Sequence, residues 1–320
     1  MASTSVPVTA RLAPEEAARI TRSMARLSIS VAAILAAMKL WAWLASGSVS
    51  MLSSFADSTL DLAASLFTLY AVRYAAQPPD REHRYGHGKA EAFAGLFQAG
   101  LVTVSAALIL VEAVQRFFTP RVIAHGAESV TVMVISIALT SGLVWMQSRA
   151  IKRTGSIATA GDRAHYFADL LANLVVILGL TAGAFFNLPW LDAAAGIFVA
   201  MWLVYGAWSV AKGAGDHLMD REMPDAERAR IRALALEDHN VRGVHDLRTR
   251  MSGPIIHIQF HADLDPTITL EAAHRIIVAA ENRIRAAYPA ADVIIHPDPG
   301  DRAEPHGHDY FSEGRRASGP

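Results

Sequence analysis

The 320-residue chain contains no cysteine. That absence removes disulfides and thiolate metal sites together. Any metal must be held by nitrogen and oxygen, and the thirteen histidines become the leading ligands. Charge is scarce as well: 18% of residues are Asp, Glu, Lys or Arg, against about 25% in a soluble domain. The formal net charge of -1 leaves no basic excess to neutralise phosphates, which argues against a nucleic-acid partner. Residues 1–26 also lack the apolar core of a cleavable signal. They are polar, carry Arg11, Arg19, Arg22 and Arg26, and read as a cytoplasmic tail with a short helix from Pro14.

What is abundant is apolar sequence, and it is unevenly placed. Residues 27–211 form long apolar runs, whereas everything after Gly213 reads like a soluble domain. A spanning helix needs roughly 20 mostly apolar residues. Six such spans are expected, at about Leu27–Ala45, Val49–Ala75, Ala90–Phe118, Val130–Arg149, Ala164–Phe186 and Leu191–Ala211. Gly47, Pro78, Pro79, Pro120, Gly155 and Pro189 punctuate the gaps. Arg73, Arg81, Arg84 and Lys89 flank the second-to-third connection; Arg149, Lys152, Arg153 and Arg163 flank the fourth-to-fifth. The positive-inside rule then puts both termini in the cytoplasm, with Arg116 and Arg121 against the trend.

The soluble part, residues 212–299, follows a different pattern. Pro224 opens an amphipathic helix, strands are expected near Val244–Met251 and Ile255–Asp263, Thr269 caps a second helix to about Tyr288, and Asp292–His296 forms a last strand. On the second strand Ile256, Ile258 and Phe260 share one face, and His257, Gln259 and His261 the other. The order αββαβ implies a two-layer α+β domain of ferredoxin-like type. Residues 300–320 have the composition of a disordered tail. The fold class is thus a polytopic α-helical membrane protein with six transmembrane helices and a C-terminal ferredoxin-like cytoplasmic domain.

Two pairs of ionisable residues interrupt the apolar runs. Asp57 and Asp61 lie in the second span, and His165 and Asp169 in the fifth. Each pair is spaced i, i+4, so both side chains leave one helix face one turn apart. Two carboxylates at that spacing repel, and each is costly in hydrocarbon. A divalent cation held by all four relieves both penalties, and zinc accepts one imidazole with three carboxylates in a tetrahedron. Taken singly, Asp57 could cap a helix break, Asp61 could face a water-filled crevice, and His165 could pair neutrally with Asp169. Together these need three unconnected explanations. Ser53, Ser54, Ala56, Ser58 and Ala168 would let helices approach closely around the site. Asn173, one turn beyond Asp169, is either an outer partner of the site or a plain interhelical contact. Lys39, inside the first span, is read as snorkelling or pairing with a carboxylate.

These motifs, with Gly47-Ser-Val-Ser50, the run from His83 to Glu91 (HRYGHGKAE), His245-Asp-Leu-Arg-Thr-Arg250 and Ile294-Ile-His-Pro-Asp-Pro299, occur in the order found in cation diffusion facilitators. The chain resembles that family over roughly residues 22–299, and within it the bacterial zinc and iron exporters. The resemblance implies a homodimer of six-helix subunits in the bacterial inner membrane, exchanging a divalent metal for protons. It implies a transport site of Asp57, Asp61, His165 and Asp169, and a loop site of Asp80, His83 and His87. It further implies a cytoplasmic binuclear site of His245, His261, His274, His296 and Asp298, and a charge interlock between Lys89 and Asp220. His217, His257, His306 and His308 have no role in that pattern and read as surface, packing or tail histidines.

The expected activity is metal/proton antiport by alternating access, with membrane lipid as surroundings and Zn2+ as the leading cargo and regulator. Iron(II), cadmium, cobalt and manganese suit the same ligand types. His165 is the expected proton carrier, because an unperturbed imidazole titrates near about pH 6.5. Two other classes compete. A metal receptor would bind and signal without flux. An intramembrane metallohydrolase would need an open coordination position and a general base, and no span carries a His-Glu-x-x-His signature; the chain is not expected to be an enzyme.

Overall fold

The computed structural model describes residues 12–47, 49–118, 127–186 and 189–300. Arg11, Arg121, His306, His308 and the disordered tail expected after Gly300 lie outside the described residues. The chain divides into two compact units, one spanning Glu15–Leu218 and one that begins at Met219.

The first unit is six long helices: α1 (Pro14–Ser46), α2 (Val49–Ala75), α3 (Ala90–Phe118), α4 (Ala127–Thr154), α5 (Ile157–Phe186) and α6 (Pro189–Leu218). The short helix expected from Pro14 is the opening of α1, not a separate element. Glu15 and Glu16 sit in its first turn, where the helix dipole favours acids, and no breaker separates them from Leu27. At 33 residues α1 is about 50 Å long, more than the ~30 Å hydrocarbon core of a bilayer. Among the described residues, four helices are long and apolar enough to cross a membrane: Pro14–Ala45, Ala90–Gln115, Thr131–Thr154 and Ala193–Leu218. The other two, α2 and α5, carry Asp57, Asp61, Asp162, His165 and Asp169.

Small residues set how closely these helices approach. A Cβ added to Gly161 on α5 would lie 3.0 Å from the Gln98 Cβ and 3.0 Å from the Gly95 Cα on α3. One added to Gly95 would meet Ile157 Cγ2 at 2.6 Å, and one on Gly196 of α6 would lie 2.9 Å from the Ala113 Cβ. Backbones therefore touch at these crossings, which is how apolar helices gain packing where lipid offers no hydrophobic contrast.

The turn into α5 differs from expectation. Gly155 adopts φ 65° and its N–H donates to the Ile151 carbonyl at 2.8 Å, ending α4. Ser156 then caps α5, its Oγ accepting from the Thr159 N–H at 3.2 Å and donating to Glu91 Oε2 at 2.5 Å. Helix α5 consequently starts at Ile157, not Ala164, and Asp162 lies inside it.

The second unit comprises α7 (Asp225–Ala235), β1 (Gly243–Ser252), β2 (Ile255–Leu264), α8 (Leu270–Ala287) and β3 (Ala291–Pro299). The sheet order is β1-β2-β3, antiparallel for the first pair and parallel for the second. Thr269 caps α8, its hydroxyl accepting from the Ala272 N–H at 3.3 Å. Ile256, Ile258 and Phe260 of β2 are buried in one core with Ile231 of α7 and Ile277 and Ile284 of α8. The opposite face of β2 presents His257, Gln259, His261 and Asp263. Between His245 and Arg248 the β1 register shifts by one residue, with Asp246 at φ 51°. This bulge keeps Val244, Leu247 and Thr249 buried while His245 stays opposite His261.

Candidate metal centres

In the helical unit, Asp61 from α2 meets His165 and Asp169 from α5. The His165 Nε2 lies 3.0 Å from Asp61 Oδ1 and 3.9 Å from Asp169 Oδ2. One ligand atom from each residue falls within 4.8 Å of the other two. Ligand atoms around a tetrahedral zinc are roughly 3.3 Å apart, given bonds of about 2.0–2.1 Å, so the spacing suits a small dication. For Nε2 to bind a metal the imidazole must be neutral with its proton on Nδ1. Asp57 lies one turn along α2 from Asp61, more exposed and outside this three-residue cluster. The structure thus gathers three of the four residues expected here.

One turn before His165, the buried Asp162 ties the bundle together. Its Oδ2 accepts from Ser28 Oγ of α1 at 2.5 Å and from Gln147 Nε2 of α4 at 2.7 Å; its Oδ1 accepts from Gln98 Nε2 of α3 at 3.3 Å. Gln98 also donates to Thr68 Oγ1 of α2 at 2.9 Å. Tyr166 contributes on the same face, its hydroxyl bonded to Ser65 of α2 at 2.8 Å and donating to the Ser28 carbonyl at 3.2 Å. Five helices are therefore registered around the residues that precede and follow His165.

The connection between α2 and α3 forms a second cluster. Asp80 Oδ1 accepts from the backbone N–H groups of His83 at 2.6 Å and Glu82 at 2.9 Å. These bonds, that to His83 foremost, hold the Asp80 carboxyl below its ordinary range, so it is an anion at neutral pH. Gly86, at φ 77°, turns the chain so that the buried His87 returns its Nε2 to 3.2 Å from Asp80 Oδ2, with His83 Nδ1 3.4 Å from Oδ1. All three expected loop residues converge.

On the outer face of the sheet, three imidazoles surround one buried carboxylate. Asp298 Oδ2 lies 2.9 Å from His261 Nδ1 and 3.3 Å from His245 Nε2, and Asp298 Oδ1 lies 3.2 Å from His296 Nε2. Cross-strand pairing of His245 with His261 and of His261 with His296 builds this row. His245, His261 and Asp298 offer ligand atoms within 4.8 Å of one another. His274 stands exposed on α8, the helix packed on the other side of the sheet, and does not join them.

Residues 25–219 match the cation efflux transmembrane domain, and residues 223–300 match the cytoplasmic domain of cation efflux proteins. The chain belongs to the cation efflux family. Its relatives include the cation-efflux pump FieF of Shewanella oneidensis, 40% identical over 274 residues that cover 86% of this chain and 92% of that protein. FieF of Cronobacter sakazakii is 37% identical over 281 residues, covering 88% and 93%. FieF of Serratia proteamaculans is 36% identical over 282 residues, covering 88% and 94%. Cation efflux proteins are transporters, not enzymes, so the hydrolase reading falls away.

Two residues of this cation efflux protein escaped the sequence reading. Asp263 Oδ1 lies 3.4 Å from His245 Nε2. Its signal was the period-two row His257, Gln259, His261, which Asp263 continues. Asp162 was hidden by placing the start of its helix too late. His257 lies outside the cluster, its Nδ1 3.1 Å from Asp292 Oδ2 across the sheet. Burial first, then the Arg250 charge, holds its pKa below the usual imidazole value, and it stays neutral at pH 7. Lys89 and Asp220 fall in different units, and each has a partner in its own. Lys89 Nζ donates to the Leu218 carbonyl at 3.2 Å, and Asp220 lies 3.4 Å from Arg250 Nη1.

Proposed function

We propose that this protein exports a divalent metal cation, with Zn2+ the leading cargo, in exchange for protons, through a site of Asp57, Asp61, His165 and Asp169. The observation that carries the reading is the convergence of Asp61, His165 and Asp169 inside the helical unit, from two helices, at ligand spacing. All six long helices cross the bacterial inner membrane in this reading, with both termini cytoplasmic. Asp57 completes the tetrahedron when α2 and α5 close on the ion. Protons arriving from the more acidic side compete for His165 Nε2 and the carboxylates, so affinity falls where cargo must leave. Alternation of access around the fixed site then couples the two fluxes.

Asp80, His83 and His87 would hold a metal at the loop, and the ferredoxin-like domain would hold a regulatory ion with His245, His261, His296 and Asp298. A homodimer brings two such domains together. The row of strand histidines supports a sensing role because it lies on the sheet of the second unit, whereas Asp61, His165 and Asp169 belong to the first.

Purified protein in sealed vesicles, loaded with Zn2+ indicator and given a pH jump, tests this directly. Zn2+ should move against its gradient when the trans side is acidified, with a matching proton movement. Binding without flux would instead establish a receptor. In the same assay His261→Ala should raise the apparent KM for Zn2+ several-fold while leaving exchange measurable; complete loss of flux in a folded variant would place His261 on the path.

A further inference from the structure

Lys39 lies on α1 between Leu35, Ala36 and Ala42, all buried and three or four residues away, so it projects from the packed side of its helix. Its Nζ donates to Ser58 Oγ at 2.7 Å, and Ser58 is 1% exposed. Ser58 follows Asp57 directly and precedes Asp61 by one turn of α2. The hydroxyl therefore anchors an ammonium group against the helix that supplies two of the site's carboxylates. The same charge acts electrostatically on Asp57 and, across the site, on Asp169 of α5. The other ionisable groups facing this region are Asp61, His165 and, one turn away, Asp162.

Formal charges give this placement a meaning. Three carboxylates carry -3, a dication supplies +2, and one unit of negative charge remains at the site. Lys39 supplies the missing +1. We infer that Lys39 is a resident counter-charge of the transport site, balancing the third carboxylate when a dication is bound and weakening the hold on that dication so that it can leave. The inference rests on the transport reading of Asp57, Asp61, His165 and Asp169. A plain interhelical hydrogen bond to Ser58 would need no cation, and it makes the opposite prediction: loss of Lys39 would loosen the site, because helices α1 and α2 would separate.

The sign of the change in affinity decides between them. Zn2+ binding to the full-length protein is measured at pH 8, where protons compete least, by following the binding component that Asp61→Ala removes. Lys39→Gln should tighten that component at least about tenfold. In vesicles it should lower both the apparent KM and the turnover number, since cargo is released more slowly. Lys39→Arg, which keeps the charge, should restore wild-type values. Ser58→Ala, which keeps the ammonium but frees it, should shift affinity in the same direction as Lys39→Gln by a smaller factor and covers the case in which the glutamine variant fails to fold. Unchanged or weaker binding in Lys39→Gln and Ser58→Ala, with the Asp61-dependent component intact in the parent, overturns the role of Lys39 alone. If Asp61→Ala removes no binding component, the site reading itself fails and the inference with it.

Discussion

Asp61→Ala should reduce Zn2+ flux in reconstituted vesicles to the level of protein-free controls. Asp61 is the contribution of α2 closest to His165, at 3.0 Å, and without it the ligands remaining in the cluster both come from α5. A tetrahedral ion needs donors on more than one side, and the exposed Asp57, which lies outside the cluster, is then the only carboxylate left on α2 to oppose them. Losing even an outer-sphere partner of a metal ligand lowers affinity about 10–100-fold, so deletion of a ligand should exceed that. Asp61→Asn is the informative control. It keeps the size of the side chain and a hydrogen bond to His165 but removes the charge, and it should be as inactive as alanine. Both variants should retain the parent's thermal midpoint within a few degrees, because Asp61 is half-buried and is not part of the Asp162 network. Normal flux in either variant would remove Asp61 from the site.

The second large effect is on stability. Asp162→Ala should lower the thermal midpoint of the purified protein by about 6–12 °C. The substitution removes the shared acceptor of Ser28, Gln98 and Gln147. Stranding buried donors costs about 1–3 kcal/mol for each one left without a partner. Gln98 keeps Thr68, and Gln147 keeps Ser28 at 3.1 Å, so the losses are partial and sum to about 3 kcal/mol. For a unit of this size each kcal/mol moves the midpoint by about 2–4 °C. Asp162→Asn, which retains one acceptor oxygen, should recover part of the loss. A midpoint unchanged in Asp162→Ala would show that the network contributes nothing net.

What was legible in the sequence follows from how each signal is written. Asp57, Asp61, His165 and Asp169 stand out because a charge in an apolar run is costly, and costly residues are easy to see. The bounds of α2 and α3 came out as Val49–Ala75 and Ala90–Phe118 because Gly47, Pro78 and Pro79 break the chain on either side. The start of α5 was obscured because Gly161, Asp162 and Arg163 look like a polar loop. Only the Gly155 turn, the Ser156 cap and its bond to Glu91 show that the helix has already begun. The loop cluster was nameable from Asp80, His83 and His87, but not the turn at Gly86 that folds it. In the soluble unit, alternation revealed the ligand face of β2. The extra residue in β1 that aligns His245 with His261 has no signature in composition or period. That His274 lies across the sheet from the row within one subunit could not be read either, since spacing says nothing about which side of a sheet a helix covers.

The glycine crossings have one more consequence. Where Gly161 meets Gly95 and Gly196 meets Ala113, α3 touches α5 and α6 with no room for so much as a methyl group, so these three helices act as a single stiff frame. Asp61 hangs from α2, which borders α5 over only a short stretch. On the proposed transport reading, the ligands are therefore divided between a frame and a shutter. Metal bonds near 2 Å tolerate only a few tenths of an ångström of misfit, so a swing of α2 by little more than one ångström would be enough to let the ion go.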